Sequence, residues 1–263
     1  MFRYGISIAS QFLEHLRMTR STFNSQNRLD QDQALYMRII RLGFVIAIAT
    51  GLSVSAFVEA GFAQRFVPKN RGLPGRREGS GTRGACLQTQ RSVVAIMPQS
   101  NSGLTVSAYP TFSWYVPATQ PTTAAFVLLD DRQTELYSTT FQIAGKPGLI
   151  SLSLPQTANL PPLEVGKTYR WKFSLTCDVD DPSTNMITEG WIQRVELATV
   201  LKNQLQSASL LDQAKLYARE GLWYDAVAIF LMLRRTQPSN AAIVNDWKVF
   251  LNSVALDDFS QLK

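Results

Sequence analysis

Between Ser92 and Glu196 short apolar segments alternate with clusters of turn-forming residues, at the spacing of an antiparallel sandwich. The segments are Val93 to Met97, Leu104 to Ser107, Phe112 to Val116, Ala125 to Leu129, Leu136 to Gln142, Leu149 to Leu154, Tyr169 to Cys177 and Met186 to Val195. In the clearest of them Tyr169, Trp171, Phe173, Leu175 and Cys177 share one face, while Arg170, Lys172, Ser174 and Thr176 share the other. A period of two predicts a half-buried strand. Phe112, Trp114 and Val116 alternate in the same way, and prolines at 110, 117, 121, 147, 155, 161, 162 and 182 fall between segments. A missing N–H costs a sheet nothing there.

After Glu196 the period lengthens to that of helices. Tyr217, Gly221, Trp223, Ala226, Phe230 and Pro238 match the spacing of a tetratricopeptide repeat, apart from Leu210 and Leu233, where Trp and Ala are typical. Gly221 allows a left-handed helix end, Ala226 a close helix contact, and Pro238 a stop. A further helix is predicted over about Ala241 to Ala255, with Trp247 and Phe250 as its apolar anchors. One repeat cannot bury its own apolar face, so the hairpin is expected to pack on the sandwich. The predicted class is mainly β with α: an immunoglobulin-like antiparallel β-sandwich over 92–196, then a C-terminal tetratricopeptide-like helical hairpin within 197–258.

Upstream, Arg38-Ile-Ile-Arg41 precedes an uncharged run from Leu42 to Val58, and Ala60-Gly-Phe-Ala63 places small residues before Gln64. This predicts a signal peptide over 37–63, cleaved between Ala63 and Gln64. The competing reading is an uncleaved anchor, the one case in which a membrane contact is expected; the run is a little short of the roughly 20 residues that span a bilayer. Basic residues just beyond it work against translocation. Residues 1–36 fit no targeting pattern and are read either as an untranslated extension, with Met37 as the initiator, or as a disordered tail. The expected location is outside the cytoplasm: periplasmic, envelope-associated or secreted.

The net charge of +6 changes this picture little, because it is local. Arg65, Lys69, Arg71, Arg76, Arg77, Arg83 and Arg91 stand against Glu78 alone, in a Gly/Pro-rich segment over 64–91 read as a basic arm. The rest of the exported part is near neutral, and no nucleic-acid partner is expected. The two cysteines, Cys86 and Cys177, are expected to bridge in an oxidising compartment and pin the arm to the sandwich, the alternative being two buried thiols.

The residues available for chemistry are few. His15 is the one histidine and precedes the cleavage point, which removes Ser-His, Cys-His and His-zinc chemistry from the exported chain. Gly79-Ser-Gly-Thr-Arg-Gly84 satisfies G-x-G-x-x-G, but no strand is predicted before it and no helix after it. Asp178 to Glu189 has the length of a calcium loop, with Pro182 and Ser183 where a ligand and the turn glycine belong. It is read as an acidic turn. No catalytic residue, metal or cofactor is predicted, and a carboxylate-dependent hydrolase stands only as the third reading. The five tryptophans at 114, 171, 191, 223 and 247 are read as core, against a carbohydrate-stacking surface.

Phe66-Val-Pro-Lys-Asn-Arg-Gly-Leu-Pro-Gly-Arg-Arg77, Arg83-Gly-Ala-Cys86, Met97-Pro-Gln-Ser-Asn101, Tyr109 to Pro117, Gly166 to Trp171, Glu189 to Val195 and Gly221-Leu-Trp-Tyr-Asp225 together resemble domain-of-unknown-function family 928. The resemblance runs from about Phe66 to Leu256. It implies an uncharacterised exported protein of the kind found mostly in cyanobacteria, and brings no catalytic residue with it. Two binding functions are therefore expected. The first is a protein-interaction or scaffold module engaging an envelope protein through Trp223 and Tyr224 or the basic arm. The second is a glycan- or anionic-polymer-binding sandwich using Arg76 and Arg77.

Overall fold

The computed structural model describes residues 65–68, 72–80, 91–120, 122–157 and 160–261. Residues 63–263 form a compact unit of their own. Its strands are β1 (Arg76–Ser80), β2 (Val94–Ala95), β3 (Ser102–Thr105), β4 (Thr111–Val116), β5 (Thr122–Leu129), β6 (Glu135–Ile143), β7 (Gly148–Ser153), β8 (Thr168–Leu175) and β9 (Met186–Arg194). Four helices follow: α1 (Thr199–Ser207), α2 (Leu210–Arg219), α3 (Trp223–Thr236) and α4 (Ala241–Asn252).

The strands lie in the order β6-β5-β8-β9-β1-β2-β4-β7, antiparallel throughout, and β3 adds to β9 in parallel. The two ends of that order, β6 and β7, are joined by residues 144–147 alone, so the sheet has to curl back on itself as a half-barrel. Curling brings Trp114 of β4 onto Phe173 of β8, stacked at 4.4 Å, and Phe112 onto Phe126 of β5 at 4.9 Å. The strict alternation of β8 becomes buried Tyr169, Trp171, Phe173 and Leu175 between β5 and β9.

The segment read as a basic arm supplies a strand. Arg76–Ser80 joins the two halves of the sheet, pairing with β9 at Arg76 and Ser80 and with β2 at Glu78. Arg-Arg-Glu-Gly-Ser shows no apolar alternation, because the pairing is made by backbone and the buried position is the small Gly79. Just before it, the Trp191 indole N–H donates to Pro74 O at 2.6 Å, and Asn101 Nδ2 donates to Gly75 O at 3.1 Å.

The helices close one side of the half-barrel. Gly221, with φ of +73°, reverses the chain between α2 and α3, and α3 packs against β3 and β4. Trp223 is fully buried and its indole N–H donates to Ile96 O at 2.8 Å. Its ring stacks on Phe250 of α4 at 4.5 Å, with Phe66 edge-on at 4.8 Å. Phe66 N–H donates to Ser253 Oγ at 3.1 Å, so the first described residues are strapped across the helices.

Candidate functional site

Tight packing at the start of α3 sets the site. A Cβ on Gly103 of β3 would stand 2.9 Å from the Tyr224 ring and 3.0 Å from Trp223 Cβ, so glycine lets the strand lie against the helix. Beyond Thr105 the chain leaves β3 through residues 106–110 and re-enters the sheet as β4. Between that connection and the helices lies a cavity of about 220 Å³. Thr105, Ser107, Tyr109 and Thr111 wall it on the strand side, and Tyr217, Tyr224, Asp225 and Ile229 on the helix side.

Asp225, in the first turn of α3, accepts the Val106 N–H at 3.1 Å on Oδ2. Enclosure of the carboxylate pushes its pKa up to about 6, and the hydrogen bonds from Val106 and the Thr105 hydroxyl offset only part of that rise. The helix N-terminus favours a negative charge at this position, yet burial dominates. Beside it, burial and the Asp225 charge both raise the Tyr217 phenol, which stays a proton donor. The Tyr224 hydroxyl accepts the Trp171 indole N–H at 2.8 Å and donates to Trp191 O at 3.0 Å, committing it to the core and leaving ring for the cavity wall. Tyr109 donates its hydroxyl proton to Leu160 O at 3.3 Å.

A second cavity, of about 380 Å³, opens between Asp130, Arg132, Glu164, Lys167 and Tyr169. Its charges are of both signs, exposed and partly matched to each other, as in the 2.7 Å Lys167–Glu164 pair. Charges this exposed are well solvated, and pairs between them add little energy. The Asp225 cavity is the stronger candidate.

The residues singled out from sequence do not assemble into one site. Trp223 and Tyr224, expected on a binding surface, are core residues at 0% and 4% exposure. Arg77, expected to meet an anionic polymer, instead donates to Val254 O at 2.8 Å and Ala255 O at 3.2 Å, tying β1 to the end of α4. Arg76, next to it, is exposed at the start of β1. Trp114, Trp171, Trp223 and Trp247 are buried, so tryptophan makes core here and no stacking surface; Trp191 is partly exposed, under the Arg170 guanidinium at 5.8 Å. Ala63, Gln64 and Cys86 lie outside the described residues, while Cys177 follows β8, half-buried, its N–H donating to Asn185 Oδ1 at 3.2 Å.

The glycine motif also reads differently in three dimensions. A strand does reach it, since Gly79 is part of β1 and packs against Met186 and Val93; residues 81–84 lie outside the described residues. Asp181 caps the short turn Pro182–Thr184, accepting the Ser183 N–H at 3.0 Å. Among the described residues no group of three His, Cys, Asp or Glu side chains could hold a metal ion.

Asp225 is the candidate site residue that sequence reasoning passed over. It is the one charged side chain from Gly221 to Leu233, and a single carboxylate in so apolar a helix is the signal that points to a buried role. The comparison with curated proteins gives no match. The sequence does match the family described as Domain of Unknown Function (DUF928), over residues 78–263, and the chain belongs to that family.

Proposed function

We propose that this protein is an exported, non-catalytic interaction module of the cell envelope, which engages a partner protein by strand addition at β6. The observation that carries the reading is the state of that edge. Among the described residues β6 pairs with β5 alone, over Glu135–Ile143, and Ser138, Thr140 and Gln142 are exposed along it. The register shifts by one residue at Leu136, a bulge at the Glu135 end, but from Tyr137 to Ile143 the pairing is regular and the strand carries no Lys or Pro; an edge without such blunting is a template for a partner strand. Export draws support from Phe66, which is buried two residues after Gln64, so that the packed body starts almost at the expected cleavage point. Within this reading the two halves of the sheet serve as an immunoglobulin-like sandwich, and α2–α3 as a single tetratricopeptide-like unit seated on it. A bridge between Cys86 and Cys177 belongs to the same proposal.

Charges on the edge test it. Ser138→Lys with Thr140→Lys should leave folding intact, because both side chains face solvent, and should abolish the capture of a partner from crosslinked envelope extract. Equal recovery by the parent and the double variant, or nothing above background with either, would count against strand addition. The alternative of glycan or anionic-polymer binding is weakened by Arg77 and the buried tryptophans, whose side chains are spent on the fold.

A further inference from the structure

Among the described residues the carboxylate of Asp225 is enclosed without a cation, unlike those of Asp246 and Glu189. Asp246 pairs with Lys215 at 2.9 Å, and Glu189 with Arg170 at 2.7 Å. Among the described residues Asp225 forms no ion pair, and neither Lys nor Arg lies in the walls of its cavity. Removing an ionised group from water costs several kcal/mol unless it is paired, and hydrogen bonds alone leave the charge in place. The burial that lifts its pKa is the same imbalance seen in another way.

The remaining wall material suits a cation with a carbon skeleton. Tyr109, Tyr217 and Tyr224 bring three aromatic rings to a space of about 220 Å³, and Ile229 adds an aliphatic side. Aromatic rings attract organic cations through their quadrupoles, more strongly where water is excluded, and a carboxylate at the same place adds direct charge compensation. Hydroxyls of Ser107 and Tyr217 are at hand for a polar substituent, that of Thr105 being committed to Asp225. The volume admits a molecule of a few carbon atoms and excludes a polymer.

We propose that the cavity between β3, β4 and α3 binds a small organic ammonium compound, its cationic head at Asp225 and its alkyl groups against Tyr109, Tyr217, Tyr224 and Ile229. The site is independent of the β6 edge, which is on the far end of the strand order, so either can fail without the other. A neutral polyol would use the hydroxyls but leave the charge uncompensated, and the test separates the two.

Calorimetric titration of the folded chain with choline chloride, and with its neutral isostere 3,3-dimethylbutan-1-ol, reads the proposal directly. Choline should bind saturably, and the alcohol at least about tenfold more weakly, a difference of about 1.4 kcal/mol. Asp225→Asn keeps an acceptor for Val106 and should lose choline affinity by the same factor. Ala228→Leu fills the cavity from α3 without touching the carboxylate and should abolish binding; circular dichroism confirms which variants are folded, and either one suffices. No binding of choline at millimolar concentration, equal binding of the alcohol, or undiminished binding by a folded variant would overturn the proposal.

Discussion

Asp225 and Gly190 show how much a single position decides. Because burial holds the Asp225 pKa near 6, above its ordinary 3.8, the folded chain binds more protons than the unfolded chain between those values. Stability from this group is therefore greatest below about pH 4 and declines as pH rises through about 6. No Lys or Arg faces it from β3, α2 or α3 in the cavity walls, and the Tyr217 and Tyr224 phenols keep their protons throughout. Thermal melts at pH 5 and pH 7 should show the parent losing stability relative to Asp225→Asn; parallel profiles would remove the buried charge from the account. A Cβ on Gly190 of β9 would come within 2.6 Å of Met97 Sδ and 2.7 Å of the Trp171 ring. Trp171 is held by its bond to Tyr224 and cannot retreat. Gly190→Ala should cost about 1–3 kcal/mol, read as a lower urea midpoint at unchanged slope.

Among the elements, legibility followed the source of each one's stability. β8 was readable because one of its faces is half-exposed, and the alternation is written in Tyr169 to Leu175; β4 is buried on both faces and was readable from the alternating large apolar side chains Phe112, Trp114 and Val116. Gly221 was readable as the helix turn because a positive φ selects glycine. β1 was not, since it is held by backbone pairing to β9 and by Arg77 reaching carbonyls 177 and 178 residues away. Nor was the Asp225 cavity, whose carboxylate is anchored by an N–H 119 residues earlier in the chain. Phe66 gives this scale its test: its ring fits against Trp223 and Phe250, so Phe66→Ala should lower stability by about 3 kcal/mol in denaturant titration. A loss within 0.5 kcal/mol, about the range of a surface substitution, would mean the strap is not part of the core.

At the scale of the molecule, the 63–263 unit is a half-barrel curled around an aromatic core, with an unpaired strand edge and a small carboxylate cavity at its margins. Trp223, Tyr224 and Arg77, expected from sequence to meet a partner or polymer, are consumed in holding that body together, as are the other buried tryptophans, read as core. Closing a 91-residue loop between Cys86 and Cys177 would add up to about 4–5 kcal/mol in the chain-entropy model, so an oxidising compartment and a stable fold are expected to go together. Location is thus the point on which the proposed role turns, and the most direct measurement is the N-terminal sequence and thiol state of the protein taken from fractionated cells. The proposal predicts a chain in the envelope or secreted fraction that begins at Gln64 and has no alkylatable thiol. A cytosolic chain that keeps Leu42 to Val58 and yields two reactive thiols would contradict it.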